Sequence, residues 1–131
     1  MFGEVFDERE TYAGDPPSDE YCRDLLGRED LLLVVAIQDE RVIGGLAAYL
    51  LRKYEQARSE IYIYDLAVAE ENRRRGVATA LIAEVRRIGR GAGTWTIFVQ
   101  ADIVPEDEPA RALYRKLAVE EITALHFDIK P

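Results

Sequence analysis

The run Ile61-Tyr62-Ile63-Tyr64-Asp65-Leu66-Ala67-Val68 limits what this chain can fold into more than any other segment. It is apolar at both parities, as a central strand covered on two faces must be, and it carries a single carboxylate, Asp65. A polar loop with one glycine follows. From Thr79 to about Arg90, Leu81, Ile82, Val85 and Ile88 recur at helical spacing, with Glu84, Arg86 and Arg87 between them. After Gly91-Ala92-Gly93, the run Thr94 to Ala101 reads as another strand. Strand, helix and strand in this order form a right-handed crossover between parallel strands, and ligands of such sheets sit at the C-terminal ends of the strands, here Asp65 to Val68 and the loop beyond.

Upstream, Ala13 to Ser18 is a turn-rich break, and Ser18 with Asp19 and Glu20 opens a short helix running to about Gly27. Leu31–Ile37 and Val42–Leu51 are apolar runs separated by Asp39-Glu40-Arg41, an antiparallel hairpin. Downstream, Ala110–Leu117 predicts a short helix and Ile122–Ile129 a last strand. The fold class is α/β (α+β), a mixed sheet flanked by helices. At 131 residues the chain has the length of one domain, 1–131, with one site. Tyr62 and Trp95 are expected in the core.

Several functions are disfavoured by composition. A net charge of -8 opposes binding to a phosphate backbone and suits a cationic small molecule. The single Cys22 cannot form an internal disulfide, is read as an inert thiol, and cannot build a zinc cluster with the single His126, so no metal is expected. No apolar run approaches membrane-spanning length, and the acidic start, with Glu4, Asp7, Glu8 and Glu10, is unlike a signal peptide; a cytoplasmic protein is expected.

The loop Glu70 to Thr79 carries the chemistry. Gly76 and Ala78 have little bulk, so an anion can approach the backbone N–H groups at the start of the helix, where the helix dipole also favours negative charge. Arg73, Arg74 and Arg75 add positive charge, although such a run is also what a solvated surface looks like. A pyrophosphate fits this arrangement.

Arg73-x-x-Gly76-x-Ala78, after the strand ending Asp65-Leu66-Ala67-Val68, resembles the acetyl-CoA pyrophosphate loop of the GNAT superfamily, and Ala110-Arg111-Ala112-Leu113-Tyr114-Arg115-Lys116-Leu117 resembles its later helix, whose tyrosine lies near the cofactor sulfur. A closer resemblance, to aminoglycoside 3-N-acetyltransferases, rests on Gly45–Tyr49, Tyr54–Val68, Val99–Asp102 and His126–Ile129. It implies the GNAT fold, acetyl-CoA as co-substrate, and the 3-amino group of a gentamicin-like deoxystreptamine aminoglycoside as acceptor, giving antibiotic resistance. Against the family pattern, the usual first strand and part of the first helix have no counterpart, so either residues are missing from this end or another chain fills that edge. An exposed sheet edge would favour a homodimer. The usual Asn of the late helix is Asp107, followed by Pro109, and the usual Gly after it is Ala118.

Roles follow from chemistry and resemblance together. A protonated amine must lose a proton before it attacks a thioester, and Asp65 is the candidate base, its pKa raised by burial; an Asp that marks a bulge or binds a backbone N–H remains the alternative. Resemblance implies that the backbone of Leu66, Ala67 and Val68 aligns the pantetheine, that Arg73–Thr79, including Val77, hold the cofactor phosphates, and that Tyr114 protonates the departing thiolate or hydrogen-bonds to it. Transfer is then direct, without an acyl-enzyme. Tyr64, Asp102, Asp107, Glu108 and Asp128 are candidates for gripping the substrate's ammonium and hydroxyl groups. A polyamine or protein N-terminus would use the same loop and Tyr114. A non-catalytic acyl-CoA-binding module is the reading from a different class.

Overall fold

The computed structural model describes all 131 residues, which gather into two compact units, Met1–Gln100 and Ala101–Pro131. In the first, helix α1 (Phe2–Val5) leads through a π-helical turn at Glu10–Gly14 to helix α2 (Asp19–Leu26), whose N-terminus is capped by Ser18 Oγ accepting from Tyr21 N–H at 3.2 Å. Strands β1 (Leu31–Gln38), β2 (Arg41–Arg52), β3 (Ser59–Val68) and β4 (Thr94–Val99) form one sheet in the order β1-β2-β3-β4. The first three are antiparallel, and β4 runs parallel to β3. Helix α3 (Val77–Gly91) makes the crossover that a parallel pair requires. Asp39 and Glu40, both at positive φ, make the two-residue hairpin between β1 and β2, a turn whose twist matches the flanking strands.

The core lies between this sheet and α3. Leu46, Ala48, Ile61 and Ile63 meet Leu81, Ile82 and Val85, all nearly inaccessible. Each large side chain removed from water contributes about 1.5–3 kcal/mol. On the opposite face the Phe2 ring lies over Gly45, where a Cβ would come within 2.9 Å of it, and Tyr49, Tyr62, Tyr64 and Phe98 form an aromatic cluster with ring centroids 4.8–5.8 Å apart.

Two irregularities decide where side chains point. Ala47 pairs with Asp65 while Ala48 pairs with Ile63, which leaves Tyr64 as an extra residue in β3. Asp65 shares its parity in the sequence with Ile61 and Ile63, and the bulge turns it to the other face of the sheet, the face that carries Tyr49 and Tyr62. The second irregularity corrects an expectation. Ser59 pairs with Thr94 and Glu60 with Thr96, so Trp95 has no partner on β3. It is turned out of the core, 59% exposed, with the Arg58 guanidinium 3.7 Å from its ring centre.

In the second unit, a 3-10 turn (Pro105–Asp107) precedes helix α4 (Glu108–Leu117). The last strand expected at Ile122–Ile129 does not form. Its alternation is strand-like, yet no strand pairs with it, and Ile122, Leu125, Phe127 and Ile129 are exposed. A strand without a hydrogen-bonding partner gains nothing over a solvated chain.

Candidate active site

The site grows from the C-terminal half of β3. Pairing with β4 stops at Ile63↔Val99, whereas pairing with β2 continues to Gly44↔Val68. Beyond Ile63, one edge of β3 therefore has no strand beside it, and the split coincides with the bulge at Tyr64. Backbone groups of Leu66, Ala67 and Val68 on that edge are open to an extended ligand bearing amides. One of them is used within the chain: the Val68 carbonyl accepts from Arg73 Nε at 3.2 Å.

The chain then makes a 3-10 turn at Glu70–Asn72 and enters α3 through Gly76, at φ 83°. A side chain at Gly76 would meet nothing within 4 Å, so the glycine is there for its left-handed backbone and leaves the approach to the helix clear. No side chain caps α3 and its first turn holds no acidic residue, so the N–H groups of Val77, Ala78 and Thr79 have no partner in the helix. Arg73, Arg74 and Arg75 are exposed around this end, with Arg74 also at positive φ. Fifteen residues of aligned dipole, free N–H groups and three guanidinium groups suit a pyrophosphate.

Asp65 is half-buried on the aromatic face beside Tyr64, which is 61% exposed. Burial pushes the Asp65 carboxyl above the usual carboxylate range; a hydrogen bond from Tyr12, Oη to Oδ2 at 3.1 Å, pulls it down, and the nearby Glu8 charge pushes it up. Such a carboxylate is both an electrostatic anchor for an ammonium group and a stronger base than a free aspartate. Asp65 thus marks a bulge, as its alternative reading held, and the bulge is what delivers it to the open face. Tyr12 was not legible as a site residue, since nothing in the acidic stretch around it distinguishes it from an ordinary surface tyrosine.

The second unit carries the remaining candidates. Tyr114 lies on α4, its phenol pushed up by burial and then by the Asp107 carboxylate, which keeps it protonated and able to donate. Asp107 Oδ2 accepts from Asp102 N–H at 3.0 Å, and Glu108 is held by Arg111 at 2.7 Å and by Arg115 at 3.4 Å. Arg111 also donates to the carbonyls of Asp102 and Val104, so it ties the loop to the helix. Asp107 and Glu108 therefore brace their own segment. Asp128 is exposed in the tail and pairs with His126 at 2.9 Å.

The sequence pattern of the acetyltransferase (GNAT) family matches residues 2–118. An aminoglycoside acetyltransferase from an uncultured soil metagenomic sample is 54% identical, with a TM-score of 0.96 over 99% of this chain and 85% of that one. A second soil metagenomic aminoglycoside acetyltransferase, solved in complex with sisomicin, is 29% identical, with a TM-score of 0.82 over 99% of this chain and 84% of its own. L-2,4-diaminobutyric acid acetyltransferase of Shouchella clausii (strain KSM-K16) is 31% identical over 85 residues, which are 65% of this chain and 45% of that relative's length. With a four-stranded mixed sheet flanked by helices and a family match spanning most of its length, the chain belongs to the acetyltransferase (GNAT) family.

Proposed function

We propose that the chain is a cytoplasmic N-acetyltransferase that moves the acetyl group of acetyl-CoA to an amino group of an aminoglycoside. The observation that carries the reading is Asp65, a carboxylate raised by burial on the open face of β3, next to a split sheet edge and the uncapped start of α3. Likeness to the soil metagenomic aminoglycoside acetyltransferases supports the acceptor class. The Tyr54–Val68 resemblance favours the 3-amino group of a gentamicin-like deoxystreptamine.

In this reading the N–H groups of Val77–Thr79 and the guanidinium groups of Arg73–Arg75 bind the pyrophosphate, and the free edge of Leu66–Val68 aligns the pantetheine arm. Acetyl-CoA supplies an acetyl thioester. Asp65 first attracts the substrate ammonium and then takes its proton, leaving a free amine for direct attack. Tyr64 edges the acceptor site, and Tyr114 supplies a proton or hydrogen bond to the thiolate that leaves. Of the acidic candidates, Asp102 and Asp128 are assigned to a cationic acceptor, which opposed charge draws in, while Asp107 and Glu108 serve their own segment. The family pattern over residues 2–118 supports the reading of one domain over 1–131, and a homodimer is the assembly that an exposed sheet edge favours.

Purified protein with acetyl-CoA and gentamicin, followed by thiol release, tests the assignment, and the NMR spectrum of the product gives the acetylated position. Release that requires the drug and is lost in Asp65→Asn supports it. Release with L-2,4-diaminobutyrate or a polyamine in place of gentamicin would reassign the acceptor. Bound acetyl-CoA without turnover on any amine would favour the non-catalytic module.

A further inference from the structure

Tyr12 lies outside the strand, loop and helix that the proposed chemistry uses, yet it holds the carboxylate on which that chemistry turns. Its hydroxyl donates to Asp65 Oδ2 at 3.1 Å across 53 residues of sequence. This bond occupies one carboxylate oxygen and leaves Oδ1 for an incoming amine.

The ring is fixed from behind. Phe2 stacks on Tyr12 and Phe6 packs tilted against it, each with its ring centroid 5.9 Å away, and Phe2 in turn rests on Gly45 of β2. Gly3 lets the Tyr12 segment come close, since a Cβ there would stand 3.1 Å from Tyr12 Cβ. A line of close contacts thus runs from the β2 backbone through Phe2 to the Tyr12 hydroxyl and ends on Asp65.

We propose that Tyr12 is a positioning residue for Asp65: its hydroxyl holds one carboxylate oxygen and turns the other toward the acceptor amine. The proposal rests on the reading of Asp65 as the base. Two groups flanking Asp65 act on its charge in opposite directions, the Tyr12 hydroxyl stabilising the carboxylate and the Glu8 charge destabilising it. Tyr62 and Tyr64 lie beside Asp65 on β3, and burial, then Tyr64 and Asp65, push the Tyr62 phenol up. Burial and the Asp65 charge push the Tyr12 phenol up to about 12, so Tyr12 stays a donor across the working range of pH.

The test compares wild type, Tyr12→Phe and Glu8→Gln in two measurements. The Asp65 carboxyl carbon, followed by NMR in the protein without substrates, should titrate at higher pH in Tyr12→Phe, by roughly half a unit or more, and at lower pH in Glu8→Gln. The acid limb of kcat/KM should move in the same two directions, with kcat falling severalfold in Tyr12→Phe and the KM for acetyl-CoA unchanged. Opposite displacements are not a result that general loosening of the fold gives. Coincident Asp65 titrations in all three proteins would overturn the proposal. Should wild type turn over no amine at all, the acetyl-transfer reading fails, while the NMR comparison still decides whether Tyr12 and Glu8 set the Asp65 charge.

Discussion

A Cβ on Gly44 would stand 2.9 Å from Cγ1 of Val77, so the first residue of α3 rests directly on the backbone of β2. The same Cβ would be 3.2 Å from the Ala67 carbonyl and 3.3 Å from Leu81, which leaves it no direction in which to relax. Gly44→Ala is therefore expected to push the helix start away from the sheet, costing about 1–3 kcal/mol in stability. The KM for acetyl-CoA should rise more than kcat falls, because the N–H groups of Val77–Thr79 move with the helix. Denaturant midpoints and steady-state kinetics on one variant check both.

Gly76 poses a different constraint. Space is open around it, but φ is 83°, a region costly to residues with a Cβ. Gly76→Ala is expected to lose about 1–2 kcal/mol and Gly76→Asn less, since asparagine tolerates the left-handed region. A Tm that ranks the variants Gly, Asn, Ala would bear this out; equal Tm values would mean that the loop relaxes.

Burial at Asp65 works against stability and for reactivity. Its folded pKa is raised, so the fold favours the protonated form. That contribution is fully present below the ordinary carboxylate value of 3.8 and is lost as pH rises through the folded value. At pH 7, Asp65→Asn should therefore melt at or above the wild-type temperature while transferring no acetyl group. Thermal melts at pH 4 and pH 7, in which the advantage of the variant grows with pH, test the sign.

In the second unit Arg111 joins Glu108 to the carbonyls of Asp102 and Val104. Arg111→Ala is expected to cost about 1 kcal/mol and to speed amide exchange over residues 102–107. Exchange confined to the tail beyond Ala118 would count against this brace.

Strands β1 to β4 were legible as short runs bounded by turns, and helix α3 because burial of one helix face writes a period of its own. Asp65 was legible as a lone carboxylate in an apolar strand. The face it occupies was not: alternation groups it with Ile61 and Ile63, and only the pairing with β2 reveals Tyr64 as an extra residue. Trp95 was misassigned for the same reason, a bulge that composition does not announce. Residues 122–129 show the reverse limit, since a strand-like period cannot supply the neighbour a strand needs. Tyr12 escaped because its contact with Asp65 spans 53 positions and depends on how Phe2 settles over Gly45.

If the proposed donor lies along the split beside β3, the protein's stability follows the donor's supply. A bare strand edge invites association with other chains, and a pantetheine arm lying along it would remove that hazard as it loads the enzyme. Mass action adds about 2.7 kcal/mol of stability when the donor stands at a hundred times its dissociation constant. A cell short of acetyl-CoA would then hold less of the protein as well as less of its substrate, so activity would fall more steeply than donor supply.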